Sequence, residues 1–150
     1  MMGLQASGKS TFCHTRLKRS HLIVSLDTLR TRKREKRFLD LCADSLTPVA
    51  IDNTNPTVES RAGYIKDFKA ASFAINGYYF QSKLDDCLAR NQLRTYMEKI
   101  PEKGICSTFS KIELPSYSEG FDRLYYAYMK DGRFVVEDWK SEGLNMPRRR

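Results

Sequence analysis

The sequence predicts an α/β fold with a mainly parallel sheet and helices on both of its faces. Two observations lead to this prediction. Residues Gly3–Ser10 match the phosphate-binding loop (P-loop) motif G-x-x-x-x-G-K-[ST], which connects a strand to a helix. Beyond the loop, short apolar runs alternate with segments of helical periodicity, a pattern typical of parallel sheets with helical crossovers.

The loop motif also predicts a chemistry. Its glycines let backbone N–H groups turn toward phosphates, the lysine reaches the β- and γ-phosphates, and the serine hydroxyl ligates Mg²⁺. A helix predicted from Lys9 to about Leu17 points its positive end at the same anion. We therefore expect a nucleoside triphosphate to bind here. The residues expected to form this site are Gly3, Ala6, Ser7, Gly8, Lys9, Ser10 and Thr11.

Only Met1 and Met2 precede the loop. A mean strand has about five to six residues, and the strand before such a loop is central to the sheet. Either the native protein starts upstream, or the sheet lacks most of its first strand. We favour the first alternative, and expect the first strand to be largely missing from this chain.

Composition sets further bounds. A chain of 150 residues is expected to form one domain, and its formal net charge of +8 favours polyanionic partners such as nucleotides or nucleic acid. Solubility alone explains that charge equally well. The sequence has no long apolar run and no signal peptide, so we expect a cytoplasmic protein without membrane contact. Four widely spaced cysteines favour reduced thiols over a zinc site: Cys13, Cys42, Cys87 and Cys106.

Two predicted strands end at aspartates. The apolar run 21–26 ends at Asp27, and the run 48–51 ends at Asp52. Because ligands of parallel α/β folds lie at the carboxyl ends of the strands, both carboxylates are expected beside the loop. The helix predicted between these strands carries Phe38, Leu41, Cys42 and Leu46 on its buried face.

Thr57 is predicted to cap the next helix. Residues 73–80 form a strand rich in aromatic side chains, and Ser82 is predicted to cap the helix that follows. The buried stripe predicted for the helix after Thr57 consists of Val58, Ala62, Ile65 and Phe68.

The last part of the chain divides into three segments. Residues 94–104 are charged and contain proline, which suits a mobile segment, and Asp131-Gly132 predicts a β-hairpin. We predict that residues 1–140 form the folded domain and that 141–150 form a flexible basic tail.

Asp27 and Arg30 are candidates for acceptor chemistry. A carboxylate at a strand end can accept a proton from a substrate hydroxyl, and an arginine one helical turn later can hold an anionic group of the same acceptor. The alternative is a capping aspartate with a surface arginine. Proximity to the loop favours the functional interpretation.

Asp52 is a candidate for the Mg²⁺ site together with Ser10, since an acidic residue at this strand end orients the metal shell in P-loop enzymes. The alternative is a turn rich in Asx residues. For Asn53 and Asn55 the two interpretations remain open.

Arg90 and Arg94 share a helix face just before the charged segment. An arginine supplied by a lid can stabilise the charge of a phosphoryl group during transfer, and we favour Arg94 for this role. For Arg90 a solvated helix face is equally plausible. A basic cluster after Asp27 predicts either a nucleic-acid track or a solvated helix entry: Arg30, Arg32, Lys33, Arg34, Lys36 and Arg37.

Four runs together resemble the kinase domain of polynucleotide 5′-hydroxyl kinases. They are GLQASGKST at 3–11, Asp27-x-x-Arg30, IDNTNP at 51–56, and Arg90-Asn91-x-x-Arg94. Ser118-Glu119-Gly120-Phe121 looks like the C-terminal stretch of the same family, so the likeness extends to about Trp139.

The resemblance implies a P-loop kinase that uses ATP and Mg²⁺, with nucleic acid bearing a 5′-OH end as acceptor. It implies that Lys9 and Ser10 serve ATP and Mg²⁺, that Asp27 is the general base, that Arg30 holds the acceptor, and that Arg94 is the lid arginine. The acidic position of the third motif falls on Asp52 or on Asn53. Two alternatives remain open: a small-metabolite or nucleoside kinase with the same parts, and a non-catalytic module that binds nucleotide or nucleic acid.

Overall fold

The computed structural model describes residues 1–140, and the basic tail predicted at 141–150 lies outside the described residues. Strands and helices alternate as the sequence predicts. In chain order the elements are α1 (Lys9–Phe12), a π-helical turn (Cys13–Leu17), β1 (Leu22–Val24), α2 (Leu26–Leu29), α3 (Arg32–Asp44), β2 (Val49–Ile51), α4 (Val58–Ala70), β3 (Asn76–Phe80), α5 (Leu84–Gln92), α6 (Glu102–Phe109), a 3₁₀ turn (Tyr117–Glu119), β4 (Arg123–Lys130) and β5 (Arg133–Asp138).

The strands form two groups, and most of their pairings are parallel. β1 pairs with β2 in parallel, with Leu22 opposite Val49. β3 pairs with β4 in parallel, and β4 pairs with β5 as the antiparallel hairpin predicted around Asp131-Gly132. Both turn residues of that hairpin have positive φ, 50° and 72°, which suits the right-handed twist of the strands they connect.

Residues 1–3 join the two groups, and we call this junction the seam. The Met1 ammonium donates to the Ile51 carbonyl of β2 at 2.9 Å. The Met2 N–H donates to the Tyr78 carbonyl at 2.8 Å, and the Phe80 N–H donates to the Met2 carbonyl at 2.9 Å. A single parallel bridge between Met2 and Tyr79 therefore stands where the sequence predicts the first strand.

A cleft of about 380 Å³ lies beside the seam, between β2 and β3. Most of its wall is apolar. It is lined by side chains that include Val49, Ile51, Phe68, Ile75, Tyr78 and Phe121. The backbone that borders the cleft therefore belongs to two parallel strands with space for a third between them.

Helices cover both faces of the larger sheet, as predicted, because alternate residues of β3 face opposite sides. Tyr79 packs on one side with Cys87 of α5 and Ile105 of α6. Phe80 packs on the other side with Phe12 of α1, and their ring centroids are 5.4 Å apart.

The buried face of α3 differs from the prediction. Leu41 and Leu46 are 63% and 69% exposed, whereas the face that packs inward carries Glu35, Leu39 and Cys42. Cys42 lies on this face as predicted, and Phe38 packs against the same core. Apolar periodicity could not find Glu35, because that residue is charged.

The same reason explains the outcome for α4. Thr57 caps it as predicted, accepting from the Ser60 N–H at 3.1 Å. Val58 is exposed, however, and the face that packs inward begins with Arg61. The Arg61 guanidinium forms a buried ion pair with Glu119, with Nε and Oε2 2.6 Å apart.

The helix predicted from Lys9 to about Leu17 has these bounds, although its geometry changes from α-helical to π-helical at Cys13. Other predicted boundaries shift, and the strand predicted at 73–80 begins at Asn76. The segment 94–104, predicted as mobile, already contains the start of α6 at Glu102.

Candidate active site

The loop at residues 3–10 adopts a compact turn that only small residues permit. Gly3 and Gly8 have φ of 135° and 99°, and Ala6 has φ of 59°. A Cβ atom at Gly3 would lie 2.9 Å from the Ser82 Oγ and 3.0 Å from the Phe80 carbonyl oxygen. Glycine is therefore required at position 3 both by φ and by the close approach of β3.

Ser82 supports the loop and does not cap α5, so the predicted capping role was wrong. Its hydroxyl accepts from the Leu4 N–H at 3.0 Å and donates to the Phe80 carbonyl at 2.8 Å. The N-cap of α5 is Lys83, which makes no side-chain capping bond. Sequence reasoning chose the cap because serine at a strand–helix junction favours that role.

The Lys9 side chain is buried inside the loop. Its ammonium donates to the carbonyls of Gly3 and Leu4 and to the Ser7 hydroxyl, the first at 2.9 Å and the last at 3.3 Å. Burial lowers the pKa of Lys9 from 10.5 to about 8, and the negative charge of Asp52 opposes that change. An entering phosphate would offer Lys9 an anionic partner in place of neutral carbonyls.

Asp52 directly follows β2 and is buried near the loop, since its charge acts on Lys9 and on the Met1 ammonium. Ser10 is exposed at the start of α1. A hydroxyl and a carboxylate are hard oxygen donors of the kind that Mg²⁺ prefers. No three His, Cys, Asp or Glu side chains of residues 1–140 form a metal cluster. The donor set fits Mg²⁺, which usually takes one or two protein ligands together with phosphate oxygens.

The two asparagines of the IDNTNP motif at 51–56 form hydrogen bonds within the protein. The Asn53 side chain accepts from the Leu26 N–H and donates to Glu35. The Asn55 amide donates to the Met1 carbonyl at 2.8 Å, and its buried Oδ1 has no hydrogen-bond partner among residues 1–140. Asp52 is thus the better candidate for the acidic position.

Asp27 lies on α2, the short helix that follows β1, and Arg30 is the residue directly after that helix. β1 ends at Val24, so Asp27 stands in the first turn of the helix and not at the strand end. Ser25 caps that helix by accepting from the Asp27 N–H at 3.2 Å, so the capping-aspartate alternative is wrong. Asp27 is exposed, and Arg30 ends the helix with φ of 69°. Both side chains are accessible to a substrate.

Arg90 lies on α5, whereas Arg94 follows the end of that helix at Gln92, so the prediction that both share a helix face was wrong. The Arg90 guanidinium donates to the Ala6 carbonyl of the loop at 3.1 Å. Arg94 is half-buried, and its positive charge helps to lower the pKa of Lys9. The sequence left Arg90 undecided, whereas the structure places it in contact with the loop.

The segment after α5 exposes large apolar side chains. Leu93, Tyr96 and Met97 are 87%, 93% and 91% exposed. The segment is closed by Asn91, whose amide donates to the Ile100 carbonyl at 2.7 Å while its Oδ1 accepts from the Ile100 N–H at 3.0 Å. This loop follows the helix whose Arg90 contacts the P-loop, and its role as a lid stays a prediction.

The basic cluster has two kinds of member. Arg32 pairs with Glu35, and Lys36 pairs with Asp40 and Asp67. The remaining members form no ion pair within the described part of the chain and are exposed: Arg30, Lys33, Arg34 and Arg37. Their charges are free to meet an anionic ligand.

Comparison with known proteins identifies the family of the chain. A family model described as "AAA domain" matches residues 1–112. The chain belongs to the AAA domain family. No helix of the described residues has both the length and the apolar character needed to cross a membrane.

Two curated relatives share 28% identity with this chain. One is the bifunctional polynucleotide phosphatase/kinase of Schizosaccharomyces pombe, matched over 93% of this chain and 35% of that protein. The other is the transcription factor bHLH140 of Arabidopsis thaliana, matched over 85% of this chain and 15% of that protein. The AAA domain chain thus spans about a third or less of the length of these relatives.

A solved structure shows the fold. A gluconokinase from Sinorhizobium meliloti 1021 superposes with a TM-score of 0.59 at 15% identity, covering 85% of this chain and 79% of that one. This AAA domain therefore has a P-loop kinase fold, as the sequence predicts.

Proposed function

We propose that this protein is an ATP-dependent kinase that transfers the γ-phosphate to a hydroxyl, and that the acceptor is the 5′-OH of DNA or RNA. The observation that carries the proposal is the loop geometry: a buried Lys9 beside Asp52, with Arg90 in contact with the loop backbone. The polynucleotide phosphatase/kinase of S. pombe, similar over 93% of this chain, supports the choice of acceptor.

In this proposal each residue acts on a stated atom. Asp27 accepts the proton of the acceptor hydroxyl while that oxygen forms a bond to the γ-phosphorus. The bond from the γ-phosphorus to the bridging oxygen breaks, and ADP leaves. Lys9 and Arg94 neutralise the charge on the transferring group, and Arg30 holds an anionic group of the acceptor.

The metal has a limited part in the proposal. Ser10 and Asp52 would hold Mg²⁺, which on binding neutralises charge on the donor phosphates. Lys9 keeps its own role because its ammonium already lies against loop carbonyls that border the phosphate position.

The exposed basic residues favour a polynucleotide over a neutral metabolite. Arg30, Lys33 and Arg34 follow the proposed base within seven residues; Arg30 directly follows α2, and the other two lie in the first turn of α3. A strand that enters with its 5′-OH at Asp27 would meet these charges with its phosphates.

Two observations keep other functions in view. The fold is shared with a gluconokinase, a kinase of a small hydroxylated metabolite by its name. The plant relative is a transcription factor by its name, which is compatible with a binding module. Each alternative predicts a different product in the same assay.

The test is transfer of a labelled γ-phosphate from ATP to a panel of acceptors. The panel contains 5′-OH oligonucleotides of DNA and RNA, the same oligonucleotides with a 5′-phosphate, nucleosides and gluconate. Label on the 5′-OH oligonucleotides alone, lost with Lys9→Ala, supports the proposal. Label only on a nucleoside or gluconate supports the small-metabolite kinase, and ATP binding without any labelled product supports the binding module.

A further inference from the structure

A chain of hydrogen bonds links a buried carboxylate to the helix that carries Asp27. The Glu35 carboxylate, 3% exposed, accepts from the Asn53 amide at 2.7 Å. The Asn53 Oδ1 in turn accepts from the Leu26 N–H at 3.0 Å. Leu26 is the first residue of α2, and its neighbour is Asp27.

The bond to Leu26 acts as a cap from a distant part of the chain. The first N–H groups of a helix have no partner within the helix. In α2 the Asp27 N–H is satisfied locally by Ser25, whereas the Leu26 N–H is satisfied by Asn53, which lies 27 residues later. The end of β2 therefore fixes the start of the helix that follows β1.

Glu35 fixes the orientation of the Asn53 amide. Since a carboxylate only accepts, the Asn53 NH₂ group must face Glu35 and the Oδ1 must face Leu26. The second carboxylate oxygen of Glu35 accepts from the Arg32 guanidinium at 2.8 Å. Tyr64 of α4 completes the cluster, with its hydroxyl 3.4 Å from the Asn53 amide.

We propose that Asn53, oriented by Glu35, is a positioning residue that holds the Asp27 carboxylate in the geometry required for proton transfer. The inference rests on the proposed function, because it takes Asp27 as the general base. α2 has only four residues, so few bonds within the helix hold its first turn. A displacement of about 1 Å at a reacting group can lower a rate by roughly 100-fold.

The test compares three variants. Asn53→Leu removes both bonds at similar volume, and we expect kcat to fall roughly 10- to 100-fold with the Kd for ATP unchanged. Asn53→Asp sets a carboxylate against Glu35 and should also lower kcat. Adding Glu35→Gln to Asn53→Asp restores the hydrogen bond with donor and acceptor exchanged, so that the amide now at position 35 donates to the carboxylate at position 53. We expect this double variant to recover kcat to within a few-fold of wild type.

A matched control separates positioning from stability. Thr57→Ala removes the cap of α4 and should lower Tm. Because Thr57 does not cap α2, kcat measured below Tm should stay near the wild-type value. The inference is overturned if Asn53→Leu keeps kcat within twofold of wild type, if Thr57→Ala lowers kcat equally, or if the double variant fails to recover.

Amide hydrogen exchange gives a readout that does not depend on activity. In Asn53→Leu the Leu26 amide should lose protection while the Phe12 amide in α1 keeps it. Unchanged protection at Leu26 would overturn the inference even if the protein proves to be a kinase. Absence of phosphate transfer in the wild type, with Leu26 protection lost in Asn53→Leu, would instead contradict the proposed function and show that Asn53 only caps α2.

Discussion

The Arg90 guanidinium donates a hydrogen bond of 3.1 Å to the Ala6 carbonyl, and so joins α5 to the P-loop at a residue with φ of 59°. Arg94, four residues later and beyond the end of α5, makes no such contact with the loop backbone among the described residues, and its guanidinium donates to the Glu98 carbonyl at 3.5 Å. Arg90 and Arg94, four residues apart in the sequence, thus have different hydrogen-bond partners.

This difference predicts different kinetic effects. Arg90→Ala should raise the KM for ATP about tenfold, because it removes a charge-assisted bond from the loop that binds phosphate. Arg94→Ala should lower kcat by at least about 100-fold with little change in the ATP KM, since it is proposed to act in the transition state. Steady-state kinetics with varied ATP test both. A kcat effect for Arg90→Ala and a KM effect for Arg94→Ala would exchange their roles.

Asp27→Asn should lower kcat by roughly 10²- to 10⁴-fold, the range for loss of a general base. ATP binding should survive, because Asp27 lies on α2 and not in the loop. Asp44→Asn, an exposed aspartate at the end of α3, is the matched control and should leave kcat unchanged. A kcat for Asp27→Asn within a few-fold of wild type would remove Asp27 from the mechanism.

The buried ammonium of Lys9 predicts a pH dependence of folding stability. Burial lowers its pKa to about 8 in the folded state, against 10.5 for an exposed lysine. Between these values the unfolded chain binds more protons, so the free energy of unfolding rises with pH through this range. By pH 10 the free energy of unfolding should have risen by about 2 kcal/mol relative to its value at pH 7.

Urea unfolding at pH 7, 8.5 and 10 measures this effect by comparison with Lys9→Met. The variant lacks the titrating ammonium and should not show the rise. Burial raises the pKa of Cys13 to about 11, and the Lys9 charge partly opposes that rise. Cys13 is present in both proteins, so its burial acts on both. Identical pH dependence in the two proteins would contradict the assignment to Lys9.

Salt distinguishes a polynucleotide acceptor from a neutral one. Each neutralised phosphate of a single strand contributes about −0.7 to the slope of log affinity against log salt, so three contacts give about −2. The acceptor KM should therefore rise about tenfold between 50 and 150 mM salt. Lys33→Gln with Arg34→Gln should flatten this slope without changing ATP binding.

The control for that experiment is Lys18→Gln with Arg19→Gln, which removes the same charge from another exposed pair. The salt slope of this control should match wild type. Equal flattening in both double variants would indicate a general charge effect, and an acceptor KM independent of salt would favour the small-metabolite kinase.

The cleft beside the seam predicts that an added strand stabilises the protein. Because strand residues alternate in direction and Ile51 and Tyr78 already bond to residues 1–2, the backbone of Val49 and Asn76 should face the cleft. Six apolar β-branched residues added before Met1 should raise Tm by at least about 4 °C. Six Gly/Ser residues at the same place should not. Equal Tm values for the two extensions would contradict this prediction.

The sequence predicted the order of strands and helices, the hairpin and the cap of α4 because each has a local signal. On the buried faces of α3 and α4 the prediction found Cys42, Ile65 and Phe68. It missed Glu35 and Arg61, because both are charged and their partners Asn53 and Glu119 are distant in sequence. Apolar periodicity cannot identify a buried ion pair.

The candidate site divides in the same way. Fixed spacing identified the loop, and the chain's motifs nominated Asp27, Asp52 and Arg94 as hypotheses. The contacts of Ser82 and Arg90 with the loop depend on where β3 and α5 pack, which no local pattern encodes. The spacing of Arg90 from Arg94 could have favoured a functional role for Arg90. It could not have identified the Ala6 carbonyl as its partner.

The seam has a consequence for cooperativity. The proposed base Asp27 follows β1, whereas Arg90 and Arg94 follow β3, so these residues lie in separately paired strand groups. Regions joined by few hydrogen bonds open as separate cooperative units. A ligand that contacts both strand groups at once stabilises their junction by its binding free energy. When ATP and the acceptor are bound together, the two strand groups would then unfold as one cooperative unit.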